Sequence, residues 1–198
     1  MDTTERKTHE RWLLEITSIP TASGCEHRVI RWIESWVRER PGVSITKDAA
    51  GNLVIGRTDG PDSDAALARP LMITAHLDHP AFVVERIIGP GTIGVGFRGG
   101  VLNPYFKEAP VVLFAEARAD APVRGKVTSS TAQEPYRQCV VELEGDATVE
   151  SSGLAIGDVG RWDLPPAHIT DGIAHTHACD DLAALAAALA AFDAMLSN

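Results

Sequence analysis

Residues 70–80, Pro70-Leu71-Met72-Ile73-Thr74-Ala75-His76-Leu77-Asp78-His79-Pro80, decide how the chain is to be read. The apolar look from Leu71 to Ala75 gives way at once to polar residues. Such a run, without alternation, reads as a strand buried on both faces, as in the parallel sheets of α/β proteins. A histidine just beyond it stands at the carboxyl edge of the sheet, where open α/β folds place their sites. Asp78, two residues on, can accept the second N–H of His76, fix its tautomer and raise its basicity as a metal ligand. A plain histidine–aspartate hydrogen bond at a strand end, with no metal, explains the pair equally well.

On the N-terminal side, two amphipathic helices are expected. Trp12, Leu13 and Ile16 form one apolar face before Pro20, and Val29, Ile30, Ile33, Trp36 and Val37 form another after the turn at Ser23-Gly24. Arg38, Arg40 and Pro41 close the second helix, with cations at the negative end of its dipole. VSITKDAAGNLVIGR, residues 43–57, reads as a β-hairpin around Gly51 and Asn52. A loop rich in Asp, Ala, Gly and Pro follows, from Thr58 to Pro70.

Past Pro80 the texture changes to short β runs, AFVVERII, TIGVGF, PVVLFAEAR, VRGKVT and CVVELEG, punctuated by glycine and proline. They predict a small all-β barrel or sandwich that ends near Trp162–Pro166. HITDGIAHTHACDD then leads into a helix, LAALAAALAAFDAML. The expected fold is α/β, a partial domain formed by residues 1–79 and 168–198, interrupted by a barrel-like insertion over 80–167.

Composition narrows the function. With 198 residues, 44% of them hydrophobic and 23% charged, the chain is neither disordered, collagen-like nor coiled coil. A net charge of −9 and the lack of a basic run argue against nucleic acid as a partner. Cys25, Cys139 and Cys179 are odd in number and far apart, which argues against a disulfide framework and for a reducing compartment. The polar start MDTTERKTHERW does not read as a secretory signal. The alanine-rich run 182–196 carries Asp193 and is shorter than the ~20 residues that span a bilayer, so no membrane partner is expected. The expected location is the cytoplasm.

Two further clusters carry chemistry. In Cys179-Asp180-Asp181-Leu182 the paired aspartates stand at a helix start, where a carboxylate caps free N–H groups and suits the dipole. The sharper reading has Asp180 bridging two metal ions, with Asp181 capping or supporting it. His175, His177 and Cys179 alternate, so an extended segment would put three zinc-ligand types on one face. Neighbours at i and i+2 strain a tetrahedron, and a partly buried polar edge is the simpler reading.

Taken together and in order, these stretches resemble the dinuclear-metal aminopeptidases that build tetrahedral, TET-type dodecamers, also met under the names glutamyl or deblocking aminopeptidase and cellulase-like protein. LLEITSIPTASGCEHRVIRWIESW resembles the family's opening helices with their Ser-Gly-x-Glu turn, and DAAGNLVIGR its Asp-x-x-Gly-Asn hairpin. AHLDHPAFVV is similar to its Ala-His-Met-Asp-Glu-x-Gly-Phe strand end, and ACDDLAAL to its Asp-Asp-Arg helix start. The β insertion stands where the family has its barrel-like second domain. The resemblance implies that His76 is a terminal metal ligand and that Asp78 is its supporting catalytic partner. It further implies that Asp180 bridges both metals, with a cis peptide before Asp181.

Two divalent ions (Zn, Co or Mn), a peptide substrate cleaved at its N-terminus and homo-oligomeric assembly follow from the same resemblance. Two positions depart from it: His79-Pro80 replaces the usual Glu and aliphatic pair, and Leu182 replaces Arg. Metallo-carboxypeptidases and amide deacylases of the same clan share the two aspartate-bearing elements and remain an alternative. A non-catalytic binding or assembly module is another. The family pattern also has a glutamate pair, one of them the general base, with another acidic ligand and a distal histidine, all beyond the Asp-Asp helix. After Asp181 the sequence holds no histidine, no glutamate and one acid, Asp193. The chain is therefore expected to be the N-terminal part of a longer enzyme, inactive alone. The stripe Leu185, Leu189, Phe192 and Leu196 is likewise expected to need cover on most sides.

Overall fold

The computed structural model describes residues 3–58, 71–118, 121–131 and 136–196. Helix α1 (Thr3–Ser18) and helix α2 (His27–Arg38) lead into an antiparallel hairpin of β1 (Val43–Lys47) and β2 (Leu53–Arg57). Its turn is built by Asp48, whose Oδ1 accepts the backbone N–H of Ala50 at 2.9 Å and of Asn52 at 2.8 Å. Gly51 at φ +94° supplies the left-handed residue this turn needs. Beyond Thr58, the expected loop lies outside the described residues.

Six strands then close into a barrel: β3 (Ala81–Gly89), β4 (Thr92–Arg98), β5 (Pro110–Phe114), β6 (Val123–Thr131), β7 (Arg137–Leu143) and β8 (Val159–Trp162). Around the barrel the order is β3-β4-β7-β6-β5-β8, and β3 pairs with β8 to close it, Phe82 opposite Gly160 and Val83 opposite Val159. A single-turn helix, α3 (Val149–Ser152), precedes β8. The barrel core is aromatic at one end. Phe82, Phe97 and Phe106 are fully buried, and Phe97 meets Phe82, Phe106 and Trp162 edge-on with ring centroids 5.0, 4.9 and 5.1 Å away.

After the barrel come a small hairpin, β9 (His168–Thr170) and β10 (Ile173–His175), and then the long helix α4 (Leu182–Leu196). A second core joins α1, α2 and α4 through Trp12, Ile16, Val29, Ile33, Trp36, Leu182, Leu185 and Leu189. Each buried aliphatic side chain of this kind contributes about 1.5–3 kcal/mol. On α4 the buried face is Leu182, Leu185, Ala186 and Leu189, with Phe192 half-buried. The opposite face, Ala184, Ala187, Ala191, Ala194 and Met195, is exposed.

Asp193 finds a partner that its place in an alanine-rich helix does not suggest. Its Oδ1 lies 2.6 Å from Arg40 Nε, and the Arg40 guanidinium stacks over Trp36 at 3.7 Å and Trp12 at 4.9 Å. One side chain thus ties α1, the end of α2 and α4 together. Arg40→Ala is expected to cost about 1–3 kcal/mol, through the lost cation–π contacts and a partly buried ion pair. Urea unfolding followed by far-UV circular dichroism checks this; an unchanged midpoint would contradict it.

The barrel is fixed to the helices by ion pairs. Glu116, just beyond β5, accepts from Arg28 Nε at 3.0 Å and Arg31 Nη2 at 2.8 Å, and lies 3.1 Å from His27 Nε2. Arg28 also donates to the Phe114 carbonyl at 2.9 Å. Burial pushes the Glu116 carboxyl up, but the His27 hydrogen bond and the charges of Arg28 and Arg31 outweigh it and leave it below the usual carboxylate value.

One expectation fails. The segment from Leu71 to Ala75 forms no strand; Leu71, Met72 and Ile73 are 81%, 69% and 54% exposed. A strand buried on both faces needs strands beside it, and among the described residues none pairs with this segment. Only from Ala75 onward does it dock, with Ala75 and Leu77 packed on the helical core and the Leu77 carbonyl accepting from Thr21 Oγ1 at 2.9 Å.

Candidate metal centre

Docking of Ala75 and Leu77 turns the alternate side chain, His76, outward toward the start of α4. There its backbone N–H donates to Asp181 Oδ2 at 3.2 Å, which ties the segment to the helix N-terminus. His76 Nδ1 lies 3.1 Å from the Asp78 carbonyl oxygen and 3.2 Å from Asp78 Oδ1. Both of those oxygens only accept, so Nδ1 carries the proton. The other ring nitrogen, Nε2, faces Asp180 Oδ1 at 3.4 Å.

That last contact is the informative one. In the neutral ring Nε2 holds a lone pair, and two acceptors 3.4 Å apart repel unless a positive species lies between them. Either a proton or a metal cation meets the need. Two ligand atoms held at about 2.0–2.2 Å by one tetrahedral ion stand about 3.4 Å apart, so the spacing suits a shared ion. Asp180 is 90% exposed and His76 51%, which leaves the site open on one side. The Asp180–Asp181 peptide is cis.

In the metal-free chain a proton on Nε2 would meet the same need. Burial lowers the pKa of His76, but the Asp78 carbonyl and the carboxylates of Asp78, Asp181 and Asp180 outweigh it and raise the group above its ordinary 6.5. Two pH effects of opposite sign follow. The stabilising contribution of the imidazolium is complete below the unfolded-state value and is lost as pH rises through the higher folded value. Metal binding at Nε2 must displace the proton, so affinity falls as pH drops below that folded value. An NMR titration of the His76 ring is expected to give a midpoint above 6.5 in metal-free protein; a midpoint at or below it contradicts this account.

His76, Asp78, Asp180 and Asp181 therefore come together. Two neighbours were not singled out from the sequence as parts of this site. His79 Nδ1 donates to the Asp180 carbonyl at 2.8 Å, and its ring meets the His177 ring edge-on at 4.9 Å. His177 is half-buried, its Nδ1 meets no hydrogen-bond partner among the described residues, and burial, reinforced by Arg161 and His79, pushes its pKa down to about 3. His79 was legible only as a departure from the family pattern.

The alternation of His175, His177 and Cys179 does not produce a zinc cluster. His177 turns to His79, while His175 stacks on His168. Among the described residues no group of three or more His, Cys, Asp or Glu side chains is placed to hold a metal. The residues present fit an ion in part: one imidazole and one carboxylate on it, with Asp78 fixing the imidazole.

No protein-family model matches the sequence, and no curated protein matches it. Solved structures do. The TET1 peptidase of Pyrococcus horikoshii, which can assemble into a tetrahedron or a large octahedral shell, superposes with a TM-score of 0.67 at 18% identity, over 93% of this chain and 55% of its own. An aminopeptidase from the archaeon Desulfurococcus kamchatkensis gives 0.60 at 23% identity, over 84% of this chain and 46% of its own. The Thermotoga maritima endoglucanase gives 0.64 at 23% identity, over 91% of this chain and 54% of its own. The chain has the fold of part of a TET aminopeptidase and spans about half the length of the solved chains it matches.

Proposed function

We propose that the chain carries part of the active centre of a metal-dependent aminopeptidase. The observation that carries the reading is the 3.4 Å approach of His76 Nε2 to Asp180 Oδ1, with Nδ1 already committed to Asp78. His76 and Asp180 would hold one divalent ion (Zn, Co or Mn), and the second Asp180 oxygen would face another. Asp78 keeps the imidazole in the tautomer that presents Nε2. Asp181 holds the backbone of His76 against α4, and His79 holds the carbonyl of Asp180. When bound, a pair of such ions makes hydroxide available near neutral pH and polarises a peptide carbonyl.

On this reading, the remaining ligands and the general base would lie outside the half of the TET peptidase fold that this chain matches. The division into residues 1–79 with 168–198 and a barrel insertion over 80–167 is part of the same proposal. So are a peptide substrate, homo-oligomeric assembly and a cytoplasmic location, the last in keeping with three free cysteines. Among the described residues no helix is long and apolar enough to cross a membrane.

The test combines Co2+ absorption spectroscopy with hydrolysis of aminoacyl-p-nitroanilides by the purified chain. Weak Co2+ binding that depends on His76 and Asp180, without turnover, is the expected result. Chelator-sensitive hydrolysis by these residues alone would overturn the incomplete centre, and absence of His76-dependent binding would overturn the metal site.

A further inference from the structure

The hairpin ahead of Asp180 carries a second pair of imidazoles. Its two-residue loop, Asp171-Gly172, has φ of +52° and +76°, the left-handed pair whose twist matches that of the flanking strands. The register pairs Ile173 with Thr170, Ala174 with Ile169 and His175 with His168. Alternation therefore puts Ile169 and Ala174 on the half-buried face and both histidines on the exposed one. Their rings lie nearly parallel, 13° apart, with centroids 4.8 Å from each other.

The hydrogen bonding orients one ring for ligation. His168 Nδ1 is 3.0 Å from the Pro166 carbonyl oxygen, which only accepts. Nδ1 therefore bears the proton and leaves the lone pair on Nε2, the tautomer typical of a histidine bound to metal through Nε2. The direct register holds the two exposed rings side by side, and turning them out of the stack about their side-chain bonds would bring one nitrogen of each onto a shared cation.

We propose that His168 and His175 form a two-imidazole chelate for a borderline divalent first-row cation, Cu2+, Ni2+ or Zn2+, with water in the remaining positions. Imidazole suits these ions, whereas Mg2+ and Ca2+ seek oxygen ligands. The pair shares no residue with the His76–Asp180 centre. Because the pairing of His168 with His175 exists only in the folded hairpin, the cation stabilises that hairpin, and with it the lead into Asp180.

Cu2+, the tightest binder of the series, is the probe. It is titrated into the whole 198-residue chain, read by electron paramagnetic resonance with nitrogen modulation, and by amide exchange of residues 169–175. A His76→Ala/Asp180→Ala variant removes the first centre. In that variant a Cu2+ signal with two imidazole nitrogens is expected to remain, with slowed hairpin exchange. His168→Ala or His175→Ala should reduce it to one nitrogen and weaken binding at least about tenfold. His175→Gln, which keeps bulk and polarity, guards against a merely disrupted hairpin and should behave the same way, with metal-free exchange unchanged. Two-nitrogen binding that survives His168→Ala/His175→Ala, or that vanishes with His76 and Asp180, overturns the proposal. Failure of the His76 centre alone leaves it standing.

Discussion

Asp180→Ala is expected to lower Co2+ affinity at the His76 centre by at least about 100-fold, and Asp78→Asn by about 10–100-fold. The two losses have different origins. Asp180 places a formal negative charge 3.4 Å from Nε2, and its removal takes away both an oxygen ligand and the charge that draws the cation. Asp78 touches the opposite nitrogen at 3.2 Å. As asparagine it still offers an oxygen to Nδ1–H but no longer strengthens the donor atom by its charge. Isothermal titration in a His168→Ala/His175→Ala background isolates this centre. Equal affinities in wild type and Asp180→Ala would remove the metal reading altogether.

The second large effect lies in the barrel. Phe97→Ala is expected to destabilise it by about 3–5 kcal/mol. Phe97 is fully buried, and its ring touches Phe82, Phe106 and Trp162 at once. Its loss leaves a cavity among rigid rings that cannot collapse into it, and three edge-to-face contacts go with it. Phe97→Leu, which retains most of the volume, should cost much less. Chemical denaturation followed by near-UV circular dichroism reads both; a Phe97→Ala midpoint equal to wild type would show that the cluster does not hold the barrel.

What could be read in the sequence was local. The Asp48–Asn52 turn, the faces of α1 and α2 and the β runs beyond Pro80 depend on neighbours a few residues away, and the structure has each of them. Val159–Trp162, the strand that closes the barrel, is four residues long and offers too short a pattern to read; only its pairing with β3 and β5 makes it a strand. Leu71–Ala75 is the converse. Its apolar run satisfies the pattern, but burial on both faces belongs to the neighbouring strands, and none is present among the described residues. The β9–β10 hairpin has a local signal too, Asp171-Gly172 between β-branched residues, but its strands are only three residues long.

The approach of His76, Asp78 and Asp180 to one another was legible because a histidine followed two residues on by an aspartate, and paired acids before a helix, are short patterns. The donation from His79 to the Asp180 carbonyl was not, because it joins groups 101 residues apart and depends on how the barrel ends lie. Asp193 belongs to the same class: its arginine partner comes from beyond α2, 153 residues earlier.

The closure of the barrel through β3 and β8 has a consequence for the chemistry. The module's first and last strands run side by side, Phe82 opposite Gly160 and Val83 opposite Val159, so the chain enters and leaves the barrel at nearly the same spot. To His76 and Asp180 the whole intervening unit is equivalent to a tight bend, and its size does not enter their separation. Excising it and splicing a short glycine-rich bridge between Pro80 and Trp162 should therefore leave imidazole and carboxylate facing each other, while everything the barrel itself contributes is lost.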